Sequence, residues 1–323
     1  MSLPYHSRAF SVSITSNNAA PAVSFWARTR DLAWPTFGMA LLCAALFCFT
    51  LMAPFGPNAL HWTALVLALT LHSSLSHELL HGHPLGKGWI ATLVGIFQPG
   101  LFVPYLRFRA LHLAHHRDAD LTDPYDDPES NYLDPAKWHR LWRWQQWVLR
   151  FNNTLLGRML IGPVIGIGAF VLSDLRAVRA GQIDVLRDWL AHLPGVILTL
   201  WLVDLSPMDL PAYLGACYAA LSVLRIRTFL EHRAHERSSA RTVIIEDRGL
   251  LALLFLNNNY HLVHHMHPQV AWYRLPAIYH ARKSRFQNRN QGYVYRSYAQ
   301  VFAQYFLRAK DPVAHPHWQG RRD

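Results

Sequence analysis

A chain of 323 residues can form one large domain or two ordinary ones, but half of this one is hydrophobic and only 16% is charged, below the roughly 25% usual for soluble domains. The net charge of +11 would suit a nucleic-acid partner, yet the basic residues lie between apolar runs, as expected for positive-inside topology beside an anionic leaflet. Cys43, Cys48 and Cys217 fall within apolar runs and lack CxxC spacing, which excludes a disulfide framework and a thiolate metal site.

Residues 1–30 are polar, Ser/Asn-rich near the start and without an apolar h-region, so they read as a loosely ordered N-terminal tail and not as a cleaved secretory signal. Residues 33–53 are uncharged and about long enough to cross a ~30 Å hydrocarbon core at ~1.5 Å per residue. Pro54, Gly56, Pro57 and Asn58 predict a turn, after which the uncharged run 59–76 leads into His77. These two runs predict a transmembrane hairpin. Residues 90–106 are uncharged but short and broken by Gln98–Pro99–Gly100. A crossing there would separate the histidines on its two sides, so the segment is expected to be a re-entrant or interfacial hairpin covered by protein.

Residues 118–135 form an acidic, proline-rich loop. Residues 136–151 predict one interfacial helix, with Trp138, Leu141, Trp142, Val148 and Leu149 beside Lys137, Arg140, Arg143 and Arg150. Gly162, Pro163, Gly166 and Gly168 interrupt 159–173, which is too short to span, and Arg176, Arg179 and Arg187 follow it. Residues 189–203 and 210–224 predict a second hairpin about Ser206–Pro207, with Arg225 and Arg227 snorkelling at its exit. Two hairpins return the chain to its starting side, where Arg274, Arg282, Lys283, Arg285 and Arg289 follow. The expected fold is therefore an all-α integral membrane protein. It has about four transmembrane helices in two hairpins, interfacial or re-entrant helices and a cytoplasmic histidine-rich cap; six spans is the alternative count. Residues 31–290 form its single domain and 291–323 a basic C-terminal tail. Twelve tryptophans and thirteen tyrosines suit two membrane–water interfaces.

The chemistry lies in three clusters: His77–Glu78–Leu79–Leu80–His81, His112–Leu113–Ala114–His115–His116 and His261–Leu262–Val263–His264–His265. Spacings of three and four residues put histidines on one helical face. Imidazole suits zinc, copper, iron and nickel. A tetrahedral zinc needs four ligands, so His77, His81, His112, His115, His116, His261, His264 and His265, with His232 as a ninth, point to two metals. An isolated histidine near an apolar face is more often a packing residue, which is the reading taken for His61, His72 and His192. His83, His267 and His280 are off the cluster spacing and read as structural or surface groups.

This series of HxxxH, HxxHH and HxxHH at helix exits resembles the membrane fatty acid desaturase superfamily, which includes acyl desaturases, carotenoid hydroxylases and ketolases, and alkane hydroxylases. Asn258–Asn259–Tyr260–His261–Leu262–Val263–His264–His265–Met266–His267–Pro268 is similar to the group's third box, and the resemblance covers about residues 30 to 290. It implies two non-haem iron ions, O2 as co-substrate, and an external electron donor such as a ferredoxin or a cytochrome b5-type protein. The nine histidines above are carried over as ligands, with His235 competing with His232. No HPGG segment indicates a fused cytochrome b5 domain. The implied activity is oxidation of an unactivated C–H bond in a lipid, first of all fatty acyl desaturation. Lipid, carotenoid or alkane hydroxylation or ketolation is the alternative. The expected location is an inner or plasma membrane with the histidines on the cytoplasmic side. Redox chemistry with O2 requires a metal that changes oxidation state, which zinc does not.

Glu78, Asp118, Asp123 and Glu231 are expected to orient ligand imidazoles, with capping and loop solvation as the plainer reading; the plainer reading is preferred for Asp126, Asp127 and Glu129. Asn258 and Asn259 either hold a metal-bound water or cap the third box. Two other classes remain. His77–Glu78–Leu79–Leu80–His81 matches the HExxH of a membrane zinc metalloprotease, with Glu78 as general base, but that leaves two clusters unused. A metal carrier would place its ligands within the spans, not at their exits.

Overall fold

A computed structural model describes residues 33–52, 58–117 and 120–320 of the chain. The N-terminal tail, residues 54–57 of the first turn and Asp118 lie outside the described residues. Helix α1 (Trp34–Leu51) and helix α2 (Ala59–Leu80) form the first hairpin. Asn58 starts α2 by accepting hydrogen bonds from the Leu60 and His61 amides at 3.0 and 3.1 Å. The two helices differ in their surroundings. Helix α1 exposes Trp34, Leu41 and Phe49, whereas α2 buries Leu65, Ala68, Leu69, Leu71 and Leu80. Large apolar side chains that point outward while the interior is also apolar are what a lipid solvent permits.

Helix α3 (Trp89–Ile96) has eight residues, about 12 Å of rise, too short to cross the bilayer. Non-helical backbone follows to Pro104, and the bundle satisfies it. Tyr213 donates to the Pro99 carbonyl at 2.7 Å, His192 meets the Leu101 carbonyl at 2.8 Å, and Gln98 donates to Ser76 at 3.1 Å. Helix α4 (Tyr105–His115) then rises to the second histidine cluster. The expected single interfacial helix is two, α5 (Pro135–Arg140) and α6 (Arg143–Asn152), because Leu141 and Trp142 adopt extended backbone between them. Trp142, Trp144 and Trp147 remain exposed along this element.

Helix α7 (Leu155–Leu160) leads into α8 (Gly162–Arg179), which continues past the expected end at 173. Asp174 permits this because Arg107 of α4 pairs with it through two hydrogen bonds of 2.9 and 2.7 Å, and Trp189 donates to it at 2.8 Å. Helix α9 (Ile183–Asp204) and helix α10 (Leu210–Thr228) complete the bundle. Leu65, Leu69, Val203, Tyr213 and Cys217 lie in its core. Of the four runs expected to span, α1 and α9 are long and apolar enough to cross a membrane. Helix α2 carries His61, His72, His77 and Glu78, and α10 carries Tyr213, Tyr218, Arg225 and Arg227. These polar groups lower their hydropathy, and the packing of the bundle accommodates them.

Beyond α10 the chain builds a small cap. Strand β1 (Ile244–Ile245) pairs in parallel with β2 (Val294–Tyr295). Helices α11 (Leu250–Leu254), α12 (His261–Met266), α13 (Leu275–Ala281) and α14 (Lys283–Arg289) surround the pair. The segment expected as a basic tail instead folds back: it supplies β2 and α15 (Tyr298–Tyr305), with Tyr298 and Val301 buried against Phe229 and Phe255. Gly195 marks where α9 crosses the 96–101 backbone, since a Cβ there would lie 2.7 Å from the Ile96 carbonyl oxygen. Gly195→Val is expected to cost about 1–3 kcal/mol by overpacking, read as a lower melting temperature of the detergent-purified protein.

Candidate metal centre

The first two histidine clusters end helices and the third forms a short helix of its own, and helical periodicity sets the aim of each. His77 and His81 close α2, with ring centroids 4.9 Å apart. His112, His115 and His116 close α4, and His261, His264 and His265 occupy α12. Four residues beyond α10, His232 is held by an antiparallel bridge to Thr242. The nine rings converge in two groups. His77, His81, His112, His116 and His264 form one; His115, His232, His261 and His265 form the other, with ligand atoms in each group within 4.8 Å of one another. The second and third clusters are thus each shared between groups. His116 and His265 stack at 4.2 Å where the groups meet. His235 stays outside, its Nδ1 accepting from the Arg237 amide at 3.0 Å.

The donor chemistry fits a pair of cations. The Nδ1 atoms of His112 and His115 face the Glu129 and Asp127 carboxylates at 2.8 and 2.7 Å, so their protons sit on that side and leave Nε2 with a lone pair. His112 Nε2 then lies 3.0, 3.2 and 3.0 Å from the Nε2 atoms of His77, His81 and His116. One ring lone pair cannot accept from three N–H groups. In the second group, His232 Nε2 is 2.9 Å from His115 Nε2 and 3.2 Å from His261 Nε2. A cation at the focus of each group satisfies all of them. Burial and crowding by neighbouring imidazoles hold His232, His261, His264 and His265 well below the usual histidine range, so they are neutral donors. His115 differs: burial would lower it, but its bond to Asp127, with Glu129 and Glu231 nearby, raises it to about 9, so a cation binding its Nε2 would first displace a proton there and free the lone pair. Burial pushes the Glu129 carboxyl upward, yet His112 and His115 outweigh it and hold the group below its usual range.

The carboxylates depart from expectation. Asp127 and Glu129, read as loop groups, are the imidazole partners. Asp127 is buried, and it also accepts from the Thr122 and Glu129 amides at 2.8 and 2.9 Å. Asp123, expected beside a ligand, instead accepts from the Tyr125 and Asp126 amides at 2.8 and 3.0 Å and caps a turn. Asp and Pro at this position favour a local turn over a reach to the histidines. Glu231 keeps its expected neighbourhood, accepting from Asn258 at 2.9 Å, with Arg227 at 3.3 Å and His261 Nδ1 at 3.8 Å. Asn258 also meets His261 Nδ1 at 3.3 Å, whereas Asn259 donates to the Ile245 and Asp247 carbonyls and anchors the third box to β1. Neither asparagine side chain caps α12. An acidic run directly after a helix rich in imidazole N–H donors was the available signal for Asp127 and Glu129.

Glu78 accepts from the Trp272 amide at 3.1 Å, and its other oxygen is 3.9 Å from His77 Nδ1, behind the ligand face. It does not face the space where His77 and His81 converge, so it is not placed as the base of a zinc protease. Other histidines have ordinary partners. His61 bonds Asn58 at 2.9 Å, His83 meets the Gln269 carbonyl at 2.6 Å and His280 meets Arg248 at 2.6 Å. An apolar groove of about 720 Å³ follows Cys43, Leu51, Ala68, Leu75, Leu79 and Leu205, but its α2 residues lie on the face opposite His77 and His81. Asp174→Ala would take two charge-assisted hydrogen bonds from the half-buried Arg107 and leave it only Asp188, at 3.9 Å, as an ion partner among the described residues. The expected cost is about 1–3 kcal/mol, visible as a lower melting temperature.

Helices with apolar outer faces, ending in two buried groups of imidazoles, define a membrane protein with a two-part histidine centre. The chain belongs to the fatty acid desaturase family, whose family model matches residues 56–297, and it is an oxidoreductase. It is 26% identical over 231 residues to a beta-carotene ketolase of Paracoccus sp. (strain N81106 / MBIC 01143), covering 68% of this chain and 75% of the relative. It is 27% identical over 230 residues to a beta-carotene ketolase of Paracoccus sp. (strain PC1), covering 67% and 75%.

Proposed function

We propose that this protein is an O2-dependent oxidase of a carotenoid-class lipid, introducing a ketone at an unactivated ring C–H position. The observation that carries the redox part is the division of nine histidines into groups of five and four, each suited to one metal ion. Two irons, held by these groups, supply the O2 activation when bound. The chain's own part is to fix nine imidazoles with Asp127, Glu129, Glu231 and Asn258 behind them, and to bury the centre from water. The substrate part rests on the ketolase relatives, which favour carotenoid oxidation over the fatty acyl desaturation expected first. Each O2 consumed takes two electrons from a separate reduced carrier and leaves one oxygen atom as water; two such rounds, four electrons in all, convert a CH2 to a geminal diol that loses water to give the ketone. The reading includes four spans, with α2 and α10 joining α1 and α9, and the histidines at the cytoplasmic surface.

Expression in a host that accumulates β-carotene tests the substrate. Keto-carotenoids identified by chromatography and mass spectrometry are the expected product. New double bonds in the host's fatty acids, with β-carotene unchanged, would instead establish the acyl desaturase reading that the family match alone allows.

A further inference from the structure

The chain beyond the family-matched residues returns to the metal centre. Residues 306–318 run across the loop that follows the second cluster. The Leu133 amide donates to the Val313 carbonyl at 2.9 Å, and the His315 amide donates back to the Leu133 carbonyl at 2.8 Å. Lys310 and Asn153 join the same segment to the end of α6 through a 3.1 Å backbone bond. Two arms extend inward from it. In the first, the Lys310 ammonium, its side chain only 4% exposed, donates to the His232 carbonyl at 2.8 Å. Asp311, the next residue, accepts from the Tyr132 hydroxyl, which in turn accepts from the Ala234 amide at 2.8 Å. In the second, His315 Nε2 meets the Thr122 hydroxyl at 3.1 Å. The Thr122 amide donates to Asp127, and Asp127 holds His115.

Both arms end in one group. His232 and His115 are neighbours within the four-histidine group, and they are the histidines each arm meets first. His232 is the histidine with least local support, since it lies after α10 and outside any helix. A buried lysine on its carbonyl supplies what helical periodicity supplies elsewhere. Burying an ammonium is costly unless it is well bonded, so its place here requires that the bond to His232 be made.

We propose that residues 306–318 are a strap that assembles the second metal group, with Lys310 as its positioning residue. The inference rests on the two-metal reading above. The test uses the full-length protein in detergent, with iron as the probe, and compares Lys310→Met, Lys310→Arg and Tyr132→Phe. In Lys310→Met, one of two irons is expected to bind roughly 10–100-fold more weakly while the other is unchanged. Amide exchange over residues 229–235 should quicken. Tyr132→Phe, which cuts the Asp311 link without opening space, is expected to change in the same direction, and Lys310→Arg, which keeps a donor, to restore both readouts. Unchanged affinity and exchange in Lys310→Met would overturn the strap. So would equal loss of both irons with a lowered melting temperature, which would make Lys310 a general packing group. If the unaltered protein bound no iron, the two-metal reading would fall, while faster exchange in Lys310→Met would still uphold the strap's hold on His232.

Discussion

Replacing His112 with alanine is expected to abolish product formation and to remove one metal from the protein. His112 lies within 3.2 Å of three other ring nitrogens and is the hub of the five-histidine group. Its loss takes one donor from that group and removes the imidazole bonded to the half-buried Glu129. The four-histidine group keeps its ligand set, so metal content should fall to about half, with little change in helix content by circular dichroism. Retention of full metal content and turnover would remove His112 from the centre.

Asp127→Ala is expected to have the second large effect, and by a different route. The side chain touches no proposed metal position, yet it carries three bonds: to His115, to the Thr122 amide and to the Glu129 amide. Truncation strands two buried amides, at about 1–3 kcal/mol each, and frees the His115 ring to rotate. Affinity for the second metal should drop roughly 10–100-fold. Asp127→Asn separates the two contributions. It keeps one acceptor oxygen, for either the Thr122 amide or the Glu129 amide and His115 side, and removes the negative charge facing His115. Its melting temperature should therefore fall less than that of the Ala variant, while metal affinity still falls. Asn and Ala variants with identical metal affinity to the parent would reduce Asp127 to a loop residue.

Much of the centre was legible from residue spacing. Histidines at i and i+4 must share a helical face, and the first two clusters close the helices they lie on, whereas the third forms a short helix of its own. The broken run 90–106 also gave the right local structure, because Pro99 and Gly100 cannot continue a helix without cost. The carboxylate partners were not legible. Asp123, Asp127 and Glu129 belong to one acidic loop, and only its turn geometry decides which of them point inward. Long-range contacts were hidden for a similar reason. Nothing local in Lys310 or Asp174 tells that a partner 78 or 67 residues away awaits it. Spanning length was harder again: α2 carries His61, His72, His77 and Glu78, and α10 carries Arg225 and Arg227, which lower their hydropathy although both helices have spanning length.

On the proposed function, the nine histidines hold two redox metals rather than one zinc. Metal analysis of the purified, iron-supplemented protein tests it directly. The expected content is about two irons per chain, falling to about one in His112→Ala and in His232→Ala. A single stoichiometric zinc, with no iron and no effect of either substitution, would contradict it.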